Sequence, residues 1–177
     1  MRSVADFYQD CISAVGQQPP LDVQLPDAVG CVLAEDVEAP FNLPVADLAA
    51  CDGYAVAAAD LEGARPDAPV VLPVTEEIRA GDIHPAALIR GRAIRIASGA
   101  PMPQGADAVL ALEFSDHGIS KVSAKTQPAV GENIRRKAED VEEGTVVLRA
   151  GTRVGARQVA LLAGVGRSRV LVHPRPR

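Results

Sequence analysis

Residues 93–113, AIRIASGAPMPQGADAVLALE, place two short apolar runs on either side of a stretch rich in glycine and proline. The runs at 93–97 and 107–113 are alternating or β-branched, which is typical of strands. Ser98 and the glycines and prolines between the runs predict tight turns. Similar short runs occur at 70–75, 119–124 and 145–149. The pattern predicts a β-rich middle of the chain.

Helical patterns are confined to the two ends of the chain. Residues 3–15 carry apolar side chains at the spacing of an amphipathic helix, with Ser3 as the N-cap and Gly16 as the stop. Such a stripe packs either on the core of the chain or on a second subunit. A second helix is predicted at 156–163, followed by a strand at 169–172. Further strands are predicted near the N-terminus at 21–25 and 31–37.

Composition and charge exclude several classes of protein. The 177 residues include 18 Lys plus Arg against 23 Asp plus Glu, a net charge of −5 that disfavours nucleic acid and anionic lipid as partners. No apolar run approaches the roughly 20 residues of a membrane helix. Three cysteines without a C-x-x-C pair, and an N-terminus unlike a signal peptide, predict free thiols and a cytoplasmic location.

The general phosphate-loop, dinucleotide, nucleophile-elbow and zinc-protease motifs are absent from the sequence. Candidate functional residues occur instead in three segments where small residues, glycine and carboxylates cluster. The first segment, 43–56, contains Asp52 followed by Gly53, which could present a carboxylate on a permissive backbone. On the residues alone, a hairpin turn with a solvated carboxylate is favoured. Cys51 is predicted to be a buried small residue and not a nucleophile, because the neighbouring carboxylate disfavours a thiolate.

The second and third segments each allow a binding or a purely structural interpretation. At 94–109 a strand runs into a Ser98-Gly99 turn, which exposes a hydroxyl and a free backbone N–H suited to an oxyanion, or is an ordinary junction. At 131–141 three cations precede Glu139 and Asp140. This run could bind an anion and a hard divalent metal, or it is a self-neutralising surface run.

Together the three segments resemble the N-terminal region of the MoeA/gephyrin E-domain family, the molybdopterin molybdenumtransferases. Members carry a D-N-S-A-M-D-G-Y-A segment, an R-I-M-T-G-A-P-x-P-x-G-A-D-A-V segment and a G-x-N-I-R-x-x-G-E-D-I segment, in this order. Their counterparts here are residues 47–55, 95–109 and 131–141.

The resemblance implies an α+β fold of two intertwined domains. Residues 1–45 and 138–177 would form a mixed dimerisation domain, and residues 46–137 an inserted β-rich domain. Full-length members continue into a third domain that opens with an S-T-G-D-E-type segment and into a small β domain. The chain is therefore expected to match the N-terminal region only and to be inactive alone.

The resemblance also implies a reaction and its residues. Family members insert molybdate into adenylated molybdopterin with release of AMP, assisted by Mg²⁺. Carried over position by position, Asp52 and Asp140 would be catalytic and would hold the Mg²⁺, whereas Ser98, Arg135 and Glu139 would bind substrate. The implied partners are adenylated molybdopterin, a second copy of the chain, and other cofactor-biosynthesis proteins or molybdoenzymes.

Several positions depart from the family pattern. Leu48, Ala49 and Cys51 stand where members have Asn, Ser and Met, and Ala138 replaces a glycine. These changes keep a second hypothesis open, in which the chain is a diverged, non-catalytic module that binds a molybdoenzyme or a cofactor-biosynthesis partner.

Overall fold

The computed structural model describes residues 2–16, 18–83 and 87–175. In chain order its helices and strands are α1 (Val4–Ala14), β1 (Leu21–Gln24), α2 (Leu25–Ala28), β2 (Val32–Leu33), β3 (Val37–Glu38), β4 (Leu48–Ala49), β5 (Gly53–Val56), β6 (Val70–Ile78), β7 (Ala93–Ile96), β8 (Ala108–Ala111), β9 (Lys121–Ala124), β10 (Ile134–Arg135), β11 (Val146–Leu148), α3 (Ala156–Gly164) and β12 (Arg169–His173). Short 3-10 turns follow β5 at Ala58–Leu61 and β8 at Leu112–Phe114.

The chain divides into two compact units, one of Met1–Phe41 with Glu143–Arg177 and one of Asn42–Glu142. Both helices of eight residues or more among the described ranges belong to the first unit, and its strands are short. The second unit is built from strands and turns. The fold class is α+β, as the family resemblance implied. The division into a dimerisation domain of residues 1–45 and 138–177 and an inserted domain of residues 46–137 stays a prediction.

The first unit is organised around an antiparallel sheet in the order β1-β12-β2, beside a separate β3–β11 pair. Its core contains Leu25, Leu33, Leu162 and Val172, contributed by both helices and strands. The predicted strand at 31–37 is instead two strands, because residues 34–36 turn away and Asp36 accepts a hydrogen bond from the Ala150 N–H.

Helix α1 begins where the sequence predicted it. Ser3 accepts a hydrogen bond from the Asp6 N–H at 3.1 Å, and Asp6 accepts one from the Ser3 N–H at 3.3 Å, which completes a capping box. No residue of α1 is buried, and Val4 is 88% exposed. The apolar stripe of α1 therefore has no covering surface within the described residues.

The second unit contains a five-stranded sheet in the order β8-β5-β7-β6-β9. All its neighbours are antiparallel except β6 and β7, which run parallel. Apolar side chains on its two faces form two clusters, one around Tyr54 and Leu110 and one around Ile94 and Val109. A separate β4–β10 pair brings residues 48–49 beside 134–135. None of the helices in the described ranges has the length and apolarity needed to cross a bilayer.

Candidate functional site

Asp52 and Ser98 are brought together by the central strands of the second unit. Gly53 in β5 pairs with Ile96 in β7, so the residue before β5 meets the turn after β7. Asp52 Oδ1 accepts a hydrogen bond from the Ser98 N–H at 2.7 Å, and the Ser98 hydroxyl donates to the Ala50 carbonyl at 3.4 Å. Of the two interpretations of the Ser98-Gly99 turn, the one that expects a free backbone N–H was wrong, because the Asp52 carboxylate accepts from Ser98 and the Ala49 carbonyl accepts from the Gly99 N–H at 2.8 Å.

The residues alone favoured a hairpin turn at Asp52-Gly53, and this expectation was wrong. Gly53 is the buried first residue of β5, and a Cβ built on it would lie 2.2 Å from the Leu110 carbonyl oxygen. Glycine is required there because the backbone of the neighbouring strand β8 comes this close. Asp52 directly precedes β5.

Asp52 borders two cavities in the second unit. One has a volume of about 150 Å³ and is also lined by Glu77 and Arg95. The other, of about 380 Å³, is also lined by Cys51 and Glu132. Sequence reasoning missed Glu77, because the predicted strand ended at residue 75, whereas β6 continues to Ile78. Arg95 opens the second motif, but no signal in the sequence marks it as lining a cavity, because its neighbours in β5 and β6 come from distant parts of the chain.

The Cys51 thiol is unsuited to act as a nucleophile. Partial burial raises its pKa, and the negative charges of Glu113, Asp52 and Glu132 raise it further. Cys51 therefore stays protonated, as the sequence predicted. It is half-buried, so the expectation of a buried residue was too strong.

Most charged side chains of the third segment form ion pairs or hydrogen bonds within the second unit. Arg135 pairs with Asp140, and the Glu139 carboxylate accepts from the Arg136 N–H at 2.9 Å. Asp47, from the first segment, accepts from Arg136 Nη1 at 2.7 Å and from the Lys137 N–H at 2.8 Å. The Lys137 hydrogen bond is the main cause that lowers the pKa of Asp47, helped by Arg136 and opposed by partial burial.

The predicted site residues thus form two pairs, Asp52 with Ser98 and Arg135 with Asp140, whereas Glu139 caps its own turn. Within the part of the chain that the structure describes, no three His, Cys, Asp or Glu side chains are arranged to hold a metal ion. Asp52 could bind a metal ion as a single carboxylate ligand, because none of the described residues donates a hydrogen bond to its Oδ2. Mg²⁺ is commonly held by one or two carboxylates together with phosphate oxygens and water.

An α+β chain with this site is similar to solved structures of molybdopterin biosynthesis proteins. The structure of the moeA protein from Pyrococcus horikoshii OT3 is 38% identical with a TM-score of 0.83, over 90% of this chain and 43% of that one. Another moeA structure described as from Pyrococcus horikosii has the same TM-score at 30% identity and covers 99% of this chain and 45% of that one.

Relatives and a family profile agree with these structures. The chain is 42% identical over its whole length to "Molybdopterin molybdenumtransferase 2" of Mycobacterium tuberculosis H37Rv, of which it covers 44%. It is 39% identical to "Molybdopterin molybdenumtransferase" of Bacillus subtilis 168 over 87% of this chain and 37% of that protein. Residues 2–166 match "MoeA N-terminal region (domain I and II)". The chain belongs to the MoeA family, which confirms the resemblance, and it spans less than half the length of these relatives.

Proposed function

We propose that the chain provides the N-terminal part of a molybdopterin molybdenumtransferase, which inserts molybdate into adenylated molybdopterin. The observation that carries the proposal is the position of Asp52. Its carboxylate is oriented by the Ser98 N–H, it directly precedes the interior strand β5, and it borders two cavities. A carboxylate whose orientation is already fixed loses less conformational entropy when it binds a ligand.

The roles proposed for the remaining residues follow their contacts. Asp52, whose Oδ2 accepts no hydrogen bond from a described residue, would contribute to a Mg²⁺ held by the phosphates of the substrate, and such an ion would neutralise charge at the reacting phosphate. Arg135 is already paired with Asp140, so Asp140 would act on Mg²⁺ or substrate only after this ion pair opens. Ser98 and Glu139 would contribute oxygen atoms that bind substrate.

Homodimerisation is the second part of the proposal. In α1 the apolar residues Val4, Tyr8 and Cys11 follow the four-three spacing of helices that pair with one another, Phe7 and Ile12 flank them, and none of α1 is buried. A second copy would cover this stripe. We also place the protein in the cytoplasm, since its three cysteines are free thiols in the structure.

Complementation tests the proposed activity. The chain would be fused to the remaining C-terminal part of the Bacillus subtilis relative and expressed in cells that lack their own molybdenumtransferase. Molybdoenzyme activity should return with the native chain, fall at least about tenfold with D52N or D140N, and remain with D67N. Asp67 is a matched control, because it is an exposed aspartate paired with Arg65 outside the site.

Two outcomes would contradict the proposal. A folded fusion that restores no activity would argue against a part in molybdate insertion. Full activity in both D52N and D140N would show that neither carboxylate has its proposed role, whereas the absence of any restored activity would favour the non-catalytic interaction module.

A further inference from the structure

Arg95 is an arginine in an unusual environment. It lies in β7, in register with Tyr54 of β5 on one side and with Glu77 of β6 on the other. Among the arginines in the described ranges, it is the one that is partly buried, whereas the others are exposed. Its guanidinium forms no ion pair or hydrogen bond with a described residue. A guanidinium carries five N–H donors and stays charged, so these donors are available to a ligand that displaces water from the cavity.

Glu77 is the neighbour that would ordinarily neutralise Arg95. The two residues are register partners on adjacent strands, yet Glu77 pairs with Arg79 instead, at 3.6 Å. Both Arg95 and Glu77 line the 150 Å³ cavity that contains Asp52 and also an adjacent cavity of about 220 Å³ bordered by Thr75 and Ile119. The Arg95 guanidinium, which only donates hydrogen bonds, and the Glu77 carboxylate, which only accepts them, therefore line one cavity without pairing with each other.

This arrangement selects the chemistry of the ligand. A bare oxyanion would gain the guanidinium but would meet the carboxylates of Glu77 and Asp52 in the same cavity, and this repulsion disfavours it. A neutral ring edge that carries a carbonyl oxygen next to N–H and NH₂ groups satisfies both partners. The carbonyl accepts from the arginine while the two nitrogens donate to the carboxylate, in the way that side chains read base edges.

We propose that Arg95 and Glu77 bind the 2-amino-4-oxopyrimidine edge of a pterin. Arg95 donates to the 4-oxo group and Glu77 accepts from the ring N–H and the 2-amino group. Asp52, on the same cavity, is left for the groups attached to the pterin. The choice of a pterin rests on the proposed function, whereas the pairing of donor and acceptor rests on the cavity itself.

Direct binding to the 177-residue chain tests this assignment. The probes are pterin and lumazine, which differ in that lumazine has a carbonyl where pterin has the 2-amino group. Calorimetry should give saturable binding of pterin to the native chain and at least about tenfold weaker binding of lumazine, because its carbonyl would face Glu77. The E77Q variant should lose this preference. The R95Q variant should bind pterin at least about tenfold more weakly, and R95K should be intermediate.

Arg92 gives the matched control, because it is an exposed arginine three residues before Arg95 that lines neither cavity. R92Q should bind pterin as the native chain does, and a thermal melt shows whether each variant is folded. Equal binding of pterin and lumazine by the native chain, or native-like pterin binding by folded R95Q or R95K, would overturn the assignment. So would displacement of pterin by millimolar inorganic phosphate. Complementation without pterin binding would refute this inference alone, and pterin binding without complementation would refute the proposed insertion activity alone.

Discussion

The Asp52 carboxylate accepts a hydrogen bond at 2.7 Å from the backbone N–H of Ser98, which lies 46 residues further along the chain. The bond links two of the three segments that carry the resemblance to the MoeA family. It joins the start of β5 to the turn that ends β7, so the conformation of the turn and the orientation of the carboxylate depend on each other. An amide side chain could replace this carboxylate as acceptor, whereas a methyl group could not.

The first prediction separates the charge of Asp52 from its hydrogen bond. D52N keeps an oxygen for the Ser98 N–H, so its free energy of unfolding should stay within about 0.5 kcal/mol of the native value. D52A leaves the N–H with only water as acceptor and should lose about 0.5–1.5 kcal/mol. Urea denaturation followed by circular dichroism measures both. Equal stability of D52A and D52N would show that the bond does not contribute.

The second prediction concerns Gly53. G53A places a Cβ against the Leu110 carbonyl in β8, and the strands must separate to relieve the clash. We expect a loss of at least about 2 kcal/mol in the free energy of unfolding. The control is G16A, since a Cβ at Gly16 meets no atom within 4 Å, and its stability should change by less than about 0.5 kcal/mol. A native-like melting temperature for G53A would contradict the close approach.

The third prediction concerns Ala138, which has φ of +64° in the turn that precedes Glu139 and Asp140. A left-handed conformation costs an alanine about 1–2 kcal/mol, whereas glycine adopts it freely but is more flexible when unfolded. A138G should therefore stabilise the protein by about 0.5–1 kcal/mol in thermal or urea unfolding. A129G, an exposed alanine of the same unit without a positive φ, should destabilise it. Destabilisation by A138G would refute the strain.

The fourth prediction is a pH dependence from Asp47. Its pKa is lowered in the folded state, so its stabilising effect is complete above the unfolded value near 4 and is lost as the pH falls through the lower, folded pKa. The native chain should exceed D47N in stability by about 1 kcal/mol at pH 6, a modest value because the Asp47 side chain is 38% exposed. The difference should shrink below about pH 4 in urea titrations. A difference that stays constant down to pH 2 would contradict this origin.

The fifth prediction tests the dimer proposed through α1. Y8D and I12D put charge on the exposed apolar stripe and should convert a dimer into a monomer in light scattering, with little effect on the melting of the monomer. S13E lies on the opposite side of the helix, at 100° per residue, and should leave the dimer intact. A monomeric native chain, or dimeric Y8D and I12D, would refute the role of this stripe.

Local features of the chain could be predicted because they depend on neighbouring residues. The apolar spacing and the Ser3 cap predict α1, and short β-branched runs bounded by glycine and proline predict β7 and β9. Contacts between distant segments could not be predicted in the same way. Asp52-Gly53 has the composition of a hairpin turn, yet it begins a central strand, because the position of β8 and not the dipeptide decides its conformation.

The order of three motifs along the sequence was by itself sufficient to identify the family, since side-chain types at fixed intervals are properties of the chain alone. Tertiary structure decided which groups are engaged and which are left for a ligand. The Ser98 N–H is bonded to Asp52, and Arg135 is bonded to Asp140, whereas Arg95 stands unpaired beside Glu77. The physical reason is that hydrogen bonds and ion pairs act over a few ångströms, and strand register sets those distances between residues far apart in sequence.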